Sequence, residues 1–125
     1  MNKIILVSIA AAAFSITSSA LAAPVETMET SIGAVLAGTN GMTLYTFKKD
    51  TENMSNCYDA CAKAWPPLLA AEGDEPTSPY SIISRDDGTK QWAVNGQPLY
   101  FWIKDQKAGD TTGDGFKDVW LAARP

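Results

Sequence analysis

The chain contains no histidine, and this absence removes several classes of chemistry. Histidine is the commonest general base of enzymes and the commonest protein ligand of transition metals. A Ser-His-Asp triad is therefore impossible, and a zinc site would have to rest on two cysteines and carboxylates. A Gly-rich phosphate-binding loop is missing as well. We therefore expect no cofactor and no metal, and the lack of the usual catalytic groups favours a non-enzymatic protein.

Basic residues are also scarce, since 10 Lys and Arg stand against 14 Asp and Glu and no basic run occurs. Clustered positive charge supplies most of the affinity for nucleic acids and for anionic membrane surfaces. Neither partner is therefore expected.

The chain has one apolar run, Ile4 to Ile16, which is too short to cross a membrane because a transmembrane helix needs about 20 residues. Lys3 precedes this run and the small-residue stretch from Ala20 to Ala23 follows it. This order is typical of a secretory signal peptide, which predicts residues 1–22 as a leader cleaved after Ala22.

The predicted mature chain, residues 23–125, has 103 residues and a net charge of −5 once Lys3 is removed. That length suits one domain. The first cysteine is Cys57, so no lipid-accepting cysteine follows the cleavage point. We therefore expect a periplasmic or secreted protein whose mature form has no membrane anchor.

The sequence contains an internal repeat with an offset of 55 residues. Gly41 to Asp50 matches Gly96 to Asp105, and at the same offset Trp65 falls on Trp120. The two copies, near residues 41–65 and 96–120, predict a domain of two pseudo-symmetric β repeats.

Local patterns predict a mainly β fold with one short α-helix. A hairpin and a three-stranded meander are indicated by β-compatible runs that flank Gly- and Asn-rich turns. The helix is expected from Met54 to Ala64, ended by Pro66 and Pro67. The predicted strands are Ser31–Ala37 and Met42–Lys48 in the hairpin, then Tyr80–Arg85, Lys90–Val94 and Gln97–Ile103 in the meander.

Each repeat carries an aromatic pair, Tyr45 with Phe47 and Tyr100 with Trp102. Side chains two apart on a strand share a face, so each pair lies on one side of its strand. Such rings suit a small core. If they are exposed instead, they form a stacking platform for a ring-shaped or cationic ligand.

Asp50 and Asp105 follow these strands at corresponding positions. A carboxylate at a strand end commonly accepts hydrogen bonds from backbone N–H groups of the next turn. The alternatives are a ligand contact or a paired-carboxylate site, and the latter requires the repeat to bring the two aspartates together.

Cys57 and Cys61 stand four apart in the predicted helix, with Cα atoms ~6 Å apart along its axis. A disulfide can bridge that distance, and an oxidising compartment would close it. The alternative is a redox-active pair, although no histidine is present to lower a thiol pKa.

The segment from Asp110 to Gly115 has the beginning of a calcium loop, with further oxygen ligands at Thr112, Asp114 and Asp118. Leu121, however, stands where such a loop needs a bidentate carboxylate. A turn without metal is favoured.

Tyr45-Thr46-Phe47-Lys48-Lys49-Asp50 and its copy ending at Asp105 resemble the Tyr-x-(Phe/Trp/Tyr)-x-x-Asp motif of a family of bacterial secreted repeat proteins and predicted lipoproteins. The segment from Cys57 to Pro67 is similar to that family's Cys-x3-Cys-Ala-x-x-Trp-Pro-Pro segment. The resemblance implies export but no established activity. This chain departs from the lipoprotein members because it lacks the lipid-accepting cysteine.

The leading hypothesis from the sequence is a non-enzymatic envelope protein that binds a small ligand or another envelope protein. Tyr45, Phe47, Tyr100, Trp102 and the two aspartates are the candidate contacts. The alternative is an enzyme that uses Cys57 and Cys61 for redox chemistry, or Asp50 and Asp105 as a carboxylate pair.

Overall fold

The computed structural model describes residues 23–125, and the predicted signal peptide lies outside this range. The described part is mainly β, as the sequence predicts, with one short α-helix and one 3₁₀ turn, Phe116–Asp118. The strands and the helix are β1 (Val25–Thr30), β2 (Gly33–Gly38), β3 (Tyr45–Phe47), α1 (Ala60–Ala64), β4 (Tyr80–Ser84), β5 (Lys90–Val94), β6 (Gln97–Pro98) and β7 (Trp120–Ala122).

In the first repeat the predicted hairpin is extended by a further strand, β1. β2 pairs along its whole length with β1, a strand that the sequence reading left out. On its other side β2 bonds to the following segment, where Leu44 N–H donates to Leu36 O over 2.9 Å. The sequence pattern does not predict β1 because Glu26 and Thr27 are both exposed, which interrupts the alternation of buried and exposed residues.

The second repeat is the meander that the sequence predicts, with β5 between β4 and β6. β6 ends at Pro98 instead of continuing to Ile103. Beyond it, Leu68 N–H donates to Leu99 O over 2.9 Å, and Tyr100 pairs with Tyr45 and Pro67. The chain leaves the meander there because these residues bond to the first repeat.

Each repeat donates its last strand to the other repeat. β7 from the second repeat pairs with β3 of the first, and Ala123 N–H donates to Leu44 O over 2.8 Å. The corresponding segment of the first repeat, Pro67 and Leu68, pairs with the second repeat in the same way. The two copies are therefore interlocked about an approximate twofold axis.

The predicted helix from Met54 to Ala64 is wrong over its first half, because α1 begins only at Ala60. Upstream of it, Thr51 pairs with Met54 in a tight turn. Asp59 has φ 54°, which lies outside the right-handed helical region, so the helix does not extend upstream through it. Trp65 N–H donates to Cys61 O and closes the helix.

Two hydrophobic clusters lie in the described part. One contains the motif tyrosines and the tryptophans, and its buried members are Val35, Tyr45, Cys57, Trp65, Tyr100, Trp102, Trp120 and Ala122. The other is mainly aliphatic, with Leu36, Leu44, Leu68, Trp92, Val94, Leu99 and Ala123. On β7, Trp120 and Ala122 enter the first cluster and Leu121 between them is exposed, as the period of a strand requires.

Within residues 23–125, no helix has the length and apolar character needed to cross a bilayer.

Candidate functional site

The tyrosine of each motif copy is bonded to the aspartate of the other copy. The Tyr45 hydroxyl donates to Asp105 Oδ2 over 2.6 Å, and the Tyr100 hydroxyl donates to Asp50 Oδ2 over 2.6 Å. The backbones of the two tyrosines also exchange N–H···O bonds of 2.8 and 3.0 Å. The motif therefore fastens one repeat to the other at the centre of the molecule.

Both aspartates also accept backbone N–H groups. Asp50 Oδ1 accepts from Asn56 over 2.7 Å, and Asp105 Oδ1 accepts from the backbone and hydroxyl of Thr112 over 3.0 and 2.6 Å. The donors lie further along the chain than the adjoining turn. Each carboxylate is bound to a different tyrosine, and no hydrogen bond joins the two among the described residues.

Four aromatic rings form a continuous column beside the tyrosines. Trp65 and Trp120 stack in its middle, with ring centroids 3.8 Å apart and planes 4° apart. Trp102 stacks outside Trp65 at 3.9 Å, and Phe47 stacks outside Trp120 at 4.2 Å. Since the middle and outer rings are corresponding positions of the two repeats, the column follows the same pseudo-symmetry.

The glycine at position 113 is required by this packing. Its N–H donates to the Tyr45 hydroxyl oxygen over 3.2 Å. A Cβ atom there would lie 2.7 Å from the Trp65 ring and 2.9 Å from the Tyr45 ring. Any side chain at this position would displace one of the two rings.

Burial decides which candidate contacts a ligand could reach in this structure. Tyr45 and Tyr100 are 0% exposed and Trp102 is 8% exposed, so these three rings belong to the core. Phe47 and Asp50 are half-buried, while Asp105 is 7% exposed. Of the six candidates, Phe47 and Asp50 are the two that remain accessible.

Burial also changes the titration of this cluster. Burial first, and the hydrogen bond to Asp105 second, raise the pKa of Tyr45 above its usual value. The pKa of Tyr100 is raised by burial and by its bond to Asp50. Desolvation raises the pKa of Asp50 although the Tyr100 hydroxyl acts in the opposite direction. All three shifts favour the uncharged form.

Arg85 is a buried cation that the sequence reading did not single out. It is 4% exposed, and its guanidinium donates to Gln91 Oε1 over 2.7 Å, to Cys57 O over 2.7 Å and to Ser55 Oγ over 3.0 Å. Its guanidinium carbon lies 4.5 Å from the Tyr58 ring centroid. Alternation along β4 could have indicated it, since Ile83 and Arg85 fall on one inward face.

The Arg85 network reaches Asp50 through two hydroxyls. Ser55 Oγ lies 2.6 Å from the Tyr100 hydroxyl, which donates to Asp50. Ser55 therefore donates to Tyr100 and accepts from Arg85. The cation stabilises this end of the motif through hydrogen bonds.

The predicted disulfide between Cys57 and Cys61 is confirmed, with a Cα–Cα distance of 5.2 Å. Cys57 is buried and precedes α1, whereas Cys61 is half-buried inside it. At the corresponding positions the second repeat has Thr112 and Phe116. The second repeat therefore forms the related segment without a disulfide.

Three of the four candidate calcium ligands form hydrogen bonds to other parts of the protein. Asp110 Oδ2 accepts the N–H groups of Gln106 and Lys107 over 2.9 and 3.1 Å. Asp114 Oδ1 accepts from Ala122, while the Thr112 hydroxyl donates to Asp105. Between residues 23 and 125, no group of three Asp, Glu or Cys side chains is placed to hold a metal ion.

A cavity of about 290 Å³ opens beside the first motif copy, between the turn after β3 and the turn before β6. Phe47, Asp50 and Glu52 line one side, and Gly96 and Gln97 line the other. A second, wider cavity of about 610 Å³ lies over the β4–β5 hairpin beside Leu69. The first is the cavity that contains candidate residues from the motif.

The two repeats exchange their last strands and are joined by two equivalent Tyr–Asp hydrogen bonds, so the chain forms a single β domain of two repeats. The chain matches a family described as a secreted repeat of unknown function, over residues 26–69 and again over residues 81–124, and it belongs to this family. The resemblance inferred from the motif is confirmed. No curated protein and no solved structure matches the chain. The family's description supports a secreted location for this protein.

Proposed function

We propose that this protein is a non-enzymatic binding module of the bacterial envelope, exported to the periplasm or cell exterior after cleavage behind Ala22. Its partner is a small ligand or another envelope protein. The Tyr45–Asp105 and Tyr100–Asp50 bonds support a structural role for the motif's buried polar groups. The two tyrosine hydroxyls and their aspartate partners join one repeat to the other.

The observation that carries the proposal is the cavity beside Asp50. Its volume of about 290 Å³ falls at the small end of ligand pockets, roughly 300–1,000 Å³. Its walls combine an aromatic ring, Phe47, with the carboxylates of Asp50 and Glu52. Polar side chains make up most of the lining, and Phe47 and Pro98 supply its apolar part.

Crosslinking and co-purification from the envelope test the proposal with a blocked cavity. Thr51 lines the cavity and is exposed, so Thr51→Trp fills the cavity without disturbing the core. Thr27→Trp on β1 is the matched control, because Thr27 is also exposed and does not line the cavity. We expect Thr51→Trp to lose partners that the wild type and the control retain. Equal recovery from all three proteins would contradict the proposal.

A redox function is the second candidate, and the half-buried position of Cys61 favours it because a thiol reductant could approach that sulfur. Thiol titration in defined dithiol buffers separates the candidates. A disulfide that opens only under strongly reducing conditions is structural, whereas one that opens near the poise of the compartment supports cycling.

A further inference from the structure

We infer that the cavity beside Asp50 binds the end of a linear alkylammonium group, such as a free diamine or a lysine side chain. This inference rests on the proposed binding function and specifies its ligand. Three observations carry it: the composition of the cavity walls, the occupant of the corresponding place in the other half, and the way Asp50 is held.

The cavity walls suit a cation with an apolar stem. The Phe47 ring is fixed by its stacking on Trp120, and an aromatic face attracts a cation while its carbon surface accepts methylene groups. Asp50 and Glu52 supply two carboxylates, against one ammonium from Lys48. Lys48 and Glu52 are both exposed, so water screens both charges. The walls carry a net charge of −1 from these three groups, beside the apolar surface of Phe47.

The corresponding place in the other half contains an unbranched side chain of the protein itself. Gly41 corresponds to Gly96 of the cavity wall. A Cβ atom on Gly41 would lie 3.2 Å from Met28 Cε, and one on Gly109 would lie 3.8 Å from Met28 Sδ. The Met28 thioether thus lies between the two glycines.

Beside Gly96 the nearest side chain is Glu52, whose Cγ would lie 2.8 Å from a Cβ atom on that glycine. A residue at the position that corresponds to Met28 does not reach this space. Leu36 and Trp92 make the same bond to the other repeat's last strand, each over 2.8 Å. Val35 therefore corresponds to Gln91. Since Met28 is the cross-strand partner of Val35 and Ile83 is that of Gln91, Met28 corresponds to Ile83. Ile83 is shorter, branched and 5% exposed, and it does not line the cavity.

The state of Asp50 explains why the occupant should carry a positive charge. The Asp50 carboxylate is half-buried, and its two hydrogen-bond donors are the neutral Tyr100 hydroxyl and the Asn56 N–H. The Arg85 guanidinium reaches it only through Ser55 and Tyr100. A carboxylate without a direct cationic partner gains from an ammonium group placed beside it.

Chemical-shift titration of the full mature protein with protonated 1,5-diaminopentane tests the inference. We expect saturable shifts in the backbone amide signals of Thr51 and Gly96. 1-Pentanol, which shares the stem but lacks the charge, should leave both signals unchanged at equal concentration. Nα-acetyl-lysine amide serves as the second probe. Saturable shifts with either amine support the inference, and the stronger of the two identifies a free amine or a protein lysine as the natural source.

Three variants connect the response to the cavity. Glu52→Gln should weaken diamine binding about two- to fivefold, the usual scale of one exposed ion pair, and Lys48→Ala should strengthen it by a similar factor. Glu29→Gln on β1 removes an exposed acid away from the cavity and should change nothing. Asp50 itself is left intact because it holds Tyr100.

The inference is overturned if neither amine gives saturable shifts at these amides, if pentanol matches the diamine, or if Glu52→Gln and Glu29→Gln respond alike. Its failure is distinguishable from failure of the proposed function. Amines without effect, combined with partners lost from Thr51→Trp, would remove the ligand class and leave the binding module. Loss of no partner would remove the binding module itself.

Discussion

Tyr45 and Asp105, which are 60 residues apart in the chain, are joined by a buried hydrogen bond of 2.6 Å. The Tyr100–Asp50 bond repeats it across the pseudo-twofold axis. Within one motif copy the tyrosine and the aspartate are five positions apart, yet each finds its partner in the other copy. Each motif copy therefore supplies one donor and one acceptor to the contact that joins the two repeats.

Removing either tyrosine hydroxyl should destabilise the protein. Tyr45→Phe or Tyr100→Phe removes the donor to Oδ2 of the buried Asp105 or the half-buried Asp50, which costs about 1–3 kcal/mol. Urea unfolding measures the change in the free energy of unfolding. Tyr80→Phe is the control, since none of the hydrogen bonds among residues 23–125 uses the Tyr80 hydroxyl, and its loss should be small. If all three substitutions lowered the free energy of unfolding equally, the proposed role of the two Tyr–Asp bonds would be contradicted.

The fold should weaken steeply in alkali. Burial and the bonds to Asp105 and Asp50 raise the pKa of Tyr45 and Tyr100 above the ordinary 10.0. The unfolded chain then loses protons that the folded chain retains, so this contribution is complete below pH 10 and declines as the pH rises further. Denaturant midpoints between pH 8 and about 11.5 should show it. The double Phe variant, less stable at neutral pH, should have the flatter profile.

Asp50 should make the free energy of unfolding depend on pH in the acidic range as well. Desolvation raises its pKa above 3.8 in the folded state. Such a group contributes stability below its unfolded pKa and loses that contribution as the pH rises through the folded pKa. The difference in unfolding free energy between wild type and Asp50→Asn should therefore fall as the pH is raised from about 3 to 7. A difference that is constant or increases would show that the Tyr100 bond outweighs desolvation.

Loss of the disulfide should be tolerated. Cys57 and Cys61 close a very small loop, so the constraint on the unfolded chain contributes at most about 2 kcal/mol. The double variant Cys57→Ala with Cys61→Ala should remain folded, with a slightly lower melting temperature. Thr112 and Phe116 already show that the corresponding segment forms without a bridge. Complete unfolding of the variant by circular dichroism would disprove this.

The two repeats should complement each other as separate chains. Residues 23–73 and 74–125, divided in the exposed linker, each lack the strand that the other donates. Neither fragment should fold cooperatively alone, whereas their mixture should recover near-ultraviolet dichroism from the Trp65–Trp120 stack. A first fragment carrying Trp65→Ala is the matched control and should not recover it. If either fragment folded cooperatively as a monomer, the repeats would not depend on the strands that they exchange.

The sequence predicted the parts of this fold that depend on neighbouring residues. β4 and β5 follow from β-compatible runs around an Asp-Gly turn, and the disulfide follows from the spacing of its cysteines. The predicted helix is too long because Asp59 adopts a positive φ of 54°, a backbone conformation that residue patterns do not reveal. The patterns do not predict β1 because Glu26 and Thr27 are both exposed, which interrupts the alternation of a half-buried strand.

The sequence alone determined that this chain is a β-rich repeat with two matching motifs, since periodicity, turns and self-similarity are local properties. Tertiary structure decided that Tyr45 pairs with Asp105 instead of Asp50, that Trp65 stacks on Trp120, and that Met28 lies beside Gly41 whereas Glu52 lies beside Gly96. These facts depend on which strands cross between the repeats. That choice is made by burial and hydrogen bonding summed over the whole domain, which no single segment encodes.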